Sequence, residues 1–132
     1  MKQEIRRRVL IVDDHASVRA LIRIVLEEHQ ELEIAGEAMD GEEAVAMAEV
    51  HRPDVVLMDI HMPRLNGVEA TRRISRALPG TAIIGLSLEY SPYAYNAMCA
   101  AGAVAFLRKE DVMDSLYKTI QFSLQARPNR QH

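Results

Sequence analysis

Tryptophan is absent from this 132-residue chain, phenylalanine occurs twice, and cysteine occurs once. A lone Cys99 excludes an intrachain disulfide, and no second cysteine or histidine cluster beside it completes a soft-metal site. It is expected as a small buried hydrophobe. Long apolar runs are also missing. The longest, Ala97 to Leu107, is interrupted by Gly102 and is too short to cross a bilayer. The charged start, Met1 to Arg8, leads into only four apolar residues, Val9 to Val12, before two aspartates, which is not the layout of a secretory signal. The expectation is a cytoplasmic chain without membrane contact. Nor is there an excess of positive charge. A net charge of -3 gives no general attraction to nucleic acid, and the short basic run Arg6 to Arg8 reads as a solvated flank. No DNA-binding element is expected within these residues.

What is present is 48% apolar residue content, enough for one compact domain over residues 1–126, with 127–132 as a polar tail or the start of a linker. Five runs have strand length: Val9 to Val12, Leu32 to Ala35, Val55 to Met58, Ala82 to Leu86 and Val104 to Leu107. Most lack polar alternation, as expected when both faces of a parallel sheet are covered. Helical stripes lie between and after them. Val18, Leu21, Ile22, Val25 and Leu26 form the first, and Ala44, Val45, Met47 and Ala48 mark the second. Val68, Thr71, Ile74 and Leu78 mark the third. A fourth, weaker stripe runs through Ala94, Ala97, Met98 and Ala101 after a Ser91-Pro92 start, and it is expected to be the most mobile helix. Val112, Leu116, Ile120 and Leu124 form the fifth, with Pro128 as its stop. Five strand-helix alternations predict an α/β, doubly wound, five-stranded parallel sheet, flavodoxin-like, with order 2-1-3-4-5.

Polar residues fall at the ends of these strands. Asp13 and Asp14 follow the first, Asp59 the third, Ser87 the fourth, and Lys109 lies just past the fifth. In this fold the crevice lies outside the carboxyl ends of the strands, between strands one and three, where the three aspartates converge. Such carboxylates repel one another unless a cation joins them, and an all-oxygen set favours Mg2+ or Mn2+. Taken singly, Asp13 or Asp14 also suits a helix N-cap and Ser87 a turn.

The ordered set Val9-Leu10-Ile11-Val12-Asp13-Asp14-His15, Asp54 to Pro63, Asn66-Gly67, Ser87 and Phe106-Leu107-Arg108-Lys109 resembles the receiver domain of two-component response regulators. Its nearest likeness is to receivers of the helix-turn-helix (NarL/LuxR-type) transcription regulators. The resemblance implies that Asp59 is the phospho-acceptor and that a sensor histidine kinase is the donor. It also implies that Asp13, Asp14, Asp59 and the backbone carbonyl of His61 hold Mg2+. Ser87 and Lys109 would contact the phosphoryl oxygens, and Ser87 and Phe106 would act as the switch. The chain would then be no enzyme beyond its own Mg-dependent phosphorylation and dephosphorylation. A homodimer through the face of the fourth helix, fifth strand and fifth helix, where Tyr90, Tyr93 and Tyr95 lie on or near, is a further implication. DNA would be reached only through an effector domain outside these residues.

Some positions depart from the family pattern. Leu88 stands where a small residue usually follows the Ser or Thr, Phe106 replaces a frequent tyrosine, and Glu110 replaces a frequent proline. An aspartate-nucleophile phosphohydrolase would need Asp-x-Asp after the first strand, and Asp13-Asp14 would repel a flavin phosphate. A stand-alone receiver acting by protein contact and an unphosphorylated interaction module stay open beside the transcription regulator.

Overall fold

The computed structural model describes residues 5–62 and 64–127. Pro63, Pro128 and the remainder of the polar tail therefore lie outside the described residues. The elements alternate as expected. They are β1 (Arg7–Val12), α1 (Ala16–Glu27), β2 (Leu32–Ala38), α2 (Gly41–His51), β3 (Val55–Asp59), α3 (Gly67–Ala77), β4 (Ala82–Ser87), α4 (Pro92–Ala101), β5 (Ala105–Arg108) and α5 (Val112–Ala126). A short 3-10 turn, Lys109–Asp111, joins β5 to α5 and was not foreseen.

All strand pairs are parallel, in the order β2-β1-β3-β4-β5. The three central strands are almost wholly buried, and their residues alternate between two apolar layers rather than between core and water. Val9, Ile11, Val55, Leu57, Ile84 and Leu86 face Ile22, Leu26, Leu116 and Ile120 of α1 and α5. Leu10, Val12, Val56, Met58 and Ile83 face Ala44, Ala48, Ala70, Ile74 and Met98 of α2, α3 and α4. This two-sided burial is why their sequences read as unbroken apolar runs.

The edge strands differ from their expected limits. β2 runs on to Ala38 through Gly36 and Glu37, which an edge strand tolerates because one side is open to solvent. A register shift between Val9 and Leu10 lets the longer β2 stay paired with β1. Arg7 and Arg8, read as a flank, begin β1.

Local signals set the helix starts. Asp40 accepts from the Glu43 amide at 2.9 Å while Glu43 Oε1 accepts from the Met39 amide at 2.7 Å. Asn66 caps α3 through the Glu69 amide at 3.0 Å, and Ser91 caps α4 with Pro92 in its first turn. On α4, Ala94, Met98 and Ala101 are buried, and the one-residue step from Met98 turns Cys99 to solvent. The expectation that Cys99 is buried is thus corrected: helical phase, not residue type, decides its exposure.

Candidate functional site

β1, β3 and β5 end at the same sheet edge, and each delivers a charged group there. Asp13 is fully buried, Asp59 is 2% exposed and Lys109 is 6% exposed. Lys109 Nζ lies 2.7 Å from Asp13 Oδ2 and 3.3 Å from Asp59 Oδ1. The first of these is an ion-pair contact without hydrogen-bond alignment, so Asp13 Oδ2 still has no hydrogen-bond partner. Asp59 Oδ2 is buried with no hydrogen-bond partner among the described residues. A lysine buried to this degree is no solvated surface cation.

Backbone placement explains the convergence. Asp59 is the last residue of β3, and the chain leaves it through Ile60, whose carbonyl accepts from the Gly67 amide at 2.8 Å. A β-carbon on Gly67 would stand 2.1 Å from the Asp59 carbonyl oxygen, so only glycine lets α3 begin this close to the site. The His61 amide reaches back to Asp59 Oδ1 at 3.4 Å. On the other side, Asp13 Oδ1 accepts from the His15 amide at 2.8 Å, and Arg19 donates to the Asp13 carbonyl at 2.7 Å. Neither Asp13 nor Asp14 caps α1, whose N-cap is His15 with no side-chain capping bond. The simple cap reading of these aspartates therefore fails.

Burial is the largest influence on Asp59, and the neighbouring Asp13 charge acts in the same direction. Lys109 opposes both, yet the carboxyl is still pushed up to about 6 from its ordinary 3.8. Asp13, Asp14, His15 and Asp59 each present a potential ligand atom, all within 4.8 Å of one another. Set against three carboxylates, Lys109 is one cation, and an oxygen of Asp59 has no partner. A hard divalent ion fits this donor set. His15 and Arg19 are the participants that sequence reasoning assigned no role. The signals were present in the Asp13-to-His15 spacing of an Asx turn and in the position of Arg19 one turn along α1.

Ser87 ends β4 and is buried, but its hydroxyl donates to the Glu89 carbonyl and accepts from the Glu89 amide at 3.2 Å. It lines an open cavity of about 260 Å3 together with His61, Leu88, Glu89, Ser91 and Ala94. Leu88 itself is 63% exposed and sits at that cavity's lip. Phe106 is partly buried on the α4 side, its ring 5.5 Å from Tyr95 and 6.4 Å from Tyr90. Phe106 packs over Gly85, where an added β-carbon would meet it at 3.2 Å and Met98 at 3.0 Å. The structure thus joins Asp13, Asp14, Asp59 and Lys109 in one site and leaves Ser87 and Phe106 engaged with the adjoining loop and helix.

The sequence matches the response regulator receiver domain family over residues 9–121. It is 35% identical to the transcriptional regulatory protein DegU of Brevibacillus brevis across 89% of this chain and 50% of that protein. Against the response regulator UvrY of Escherichia coli the identity is 43%, over 76% of this chain and 46% of that protein. The chain therefore spans about half the length of these curated relatives. The signal receiver domain of the putative response regulator NarL from Mycobacterium tuberculosis superposes with a TM-score of 0.87 at 26% identity, covering 93% of this chain and 99% of that one. A two-component response regulator of the LuxR family from Aurantimonas superposes at 0.86 with 29% identity, over 92% of this chain and 87% of the other. No described helix is long and apolar enough to cross a membrane.

Proposed function

The chain belongs to the response regulator receiver domain family, and from that premise we propose that Asp59 accepts a phosphoryl group from the phosphohistidine of a sensor kinase. The observation that carries this reading is the unpartnered Asp59 Oδ2, buried beside Lys109 and Asp13. An exposed aspartate would already be satisfied by water, whereas this oxygen is held without a partner at the sheet edge.

Transfer forms a bond from an Asp59 oxygen to phosphorus as the phosphorus–nitrogen bond breaks, and the bonding pair returns to the departing imidazole. Lys109 stands close enough to Asp59 to neutralise charge on the transferring oxygens. Asp13, Asp14, Asp59 and the His61 carbonyl would hold Mg2+ or Mn2+. When bound, that ion supplies positive charge to the phosphoryl oxygens. Ser87 would donate to the same group after its hydroxyl leaves the Glu89 carbonyl it now holds.

Phosphorylation adds roughly one to two negative charges and fresh acceptor oxygens. Drawing Ser87 inward opens room beside β4, into which Phe106 turns from its place against Tyr95 and Tyr90. The readout surface is then the exposed face of α4, β5 and α5, where Tyr90, Tyr95 and Met113 reach solvent, whereas Tyr93, also expected there, turns to a groove shared with Val68, Glu69 and Arg72 of α3. A second copy docking there gives a phosphorylation-dependent homodimer. We assign the output to a DNA-binding effector domain, on the likeness to DegU and UvrY, and place the domain in the cytoplasm with its kinase's catalytic portion.

Incubation with acetyl phosphate and Mg2+, followed by intact mass measurement, tests the core of this reading. The expected result is one phosphoryl gain, lost in Asp59→Asn. No gain, or a gain that survives that substitution, overturns it.

A further inference from the structure

The cluster around Asp59 contains one donor that is not oxygen. We infer that His15 contributes its imidazole Nδ1 to the cation site, giving this site a preference for borderline transition-metal ions such as Co2+, Ni2+ or Zn2+ over Mg2+. The inference rests on the divalent-ion reading of the site proposed above.

Four observations converge on it. His15 Nδ1 lies 3.2 Å from Asp13 Oδ1 and 3.2 Å from Asp14 Oδ1, between the two carboxylates. The backbone that carries the ring is fixed, because the His15 amide is tied to Asp13 Oδ1 at 2.8 Å and the residue holds extended geometry at the head of α1. His15 makes no capping bond of its own, so the imidazole is not committed to α1. Across the cluster, the buried Asp59 Oδ2 has no hydrogen-bond partner among the described residues, and Asp59 offers a carboxylate oxygen to the group of ligand atoms that lie within 4.8 Å of one another. An imidazole adds little for Mg2+, which keeps oxygen ligands and its own waters. For the later first-row ions it is a favoured ligand, and their affinities for a mixed nitrogen and oxygen site rise along the series.

A plain alternative exists for His15: an N–H donated to the two carboxylates without any bond to metal. That role predicts equal effects on every divalent ion, because only the carboxylates' placement would change.

Calorimetric titration of the metal-free domain with Co2+ and, separately, with Mg2+ distinguishes the two, using the wild type and His15→Gln. His15 is half exposed, so the substitution leaves the core untouched. Even outer partners of metal ligands are worth about 10–100-fold in affinity, so a fall of about fivefold or more in the Co2+-to-Mg2+ affinity ratio is expected of a true ligand. A smaller change in that ratio overturns the assignment. The same His15→Gln sample, given acetyl phosphate and Mg2+, separates the two failures. Labelling of Asp59 with an unchanged ratio defeats the His15 assignment alone, whereas no labelling of wild type or variant defeats the phospho-acceptor reading beneath it.

Discussion

Asp59 Oδ1 lies 3.3 Å from Lys109 Nζ, and that contact only partly offsets what burial and the Asp13 charge do to the same carboxyl. The net effect raises it from 3.8 to about 6. A carboxyl raised on folding binds more protons in the folded than in the unfolded chain between those values, so its contribution to stability declines as pH rises through that window. In metal-free buffer Asp59→Asn should therefore stabilise the domain at pH 7.5 by about 2–3 kcal/mol, the equivalent of a shift near two units. The gain should shrink toward zero near pH 4. Urea unfolding of both proteins at the two pH values measures this, and an equal gain at each would contradict it.

Lys109 lowers the Asp59 carboxyl, so Lys109→Met should raise it above the wild-type value of about 6. Only the ionised carboxylate attacks phosphorus, and the variant also loses the cation beside the transferring oxygens. Acetyl phosphate labelling at pH 7 should slow by a hundredfold or so, comparable to loss of one preorganised charge-stabilising group. The pH at which the rate reaches half its plateau should move upward. Loss of rate with an unshifted profile would separate the electrostatic role toward phosphorus from the effect on Asp59.

The same site shows which parts of the molecule were legible in its sequence. β1, β3 and β4 were visible because both of their faces are covered, which leaves uninterrupted apolar runs with Asp13, Asp59 and Ser87 at their ends. β2 was cut short at Ala35 because edge residues such as Glu37 need not be apolar. The shift at Val9 depends on a pairing partner distant in sequence, which periodicity does not contain, and the three-residue turn at Lys109 is too short to show a period. His15 and Arg19 were missed because neither carries an apolar signal, although their partners Asp14 and the Asp13 backbone lie close by in sequence and only Glu37 is distant.

Gly67 is the first residue of α3. A β-carbon there would lie 2.1 Å from the Asp59 carbonyl and 2.8 Å from Ile60 Cα, and neither backbone atom belongs to a flexible side chain. Gly67→Ala must push α3 away from β3. A loss of about 3 kcal/mol is expected, at the upper end for overpacking because backbone must move. Thermal unfolding checks the size. Weakened Mg2+ binding in the folded variant checks that the displacement reaches Asp59.

Arg19 offers the cleanest separation of positioning from charge. Its Nη1 donates to the Asp13 carbonyl at 2.7 Å while its Nε meets Glu37 Oε1 at 3.1 Å. Arg23 holds the same Glu37 at 2.6 Å, so removing Arg19 leaves Glu37 paired and concentrates the loss on the Asp13 backbone. Arg19→Met retains the apolar stem and should cost about 1.5–3 kcal/mol of stability, the value of one charge-assisted hydrogen bond. Because Asp13 moves as a ligand rather than as a charge, Mg2+ affinity should fall while the pH profile of Asp59 phosphorylation keeps its midpoint. Glu37→Gln, which lets Arg19 stay on the Asp13 carbonyl, should leave Mg2+ affinity nearer to wild type than Arg19→Met does. If the two variants weaken Mg2+ equally, the guanidinium acts through the electrostatics of the Glu37 pair, and its bond to the Asp13 carbonyl does not position the site.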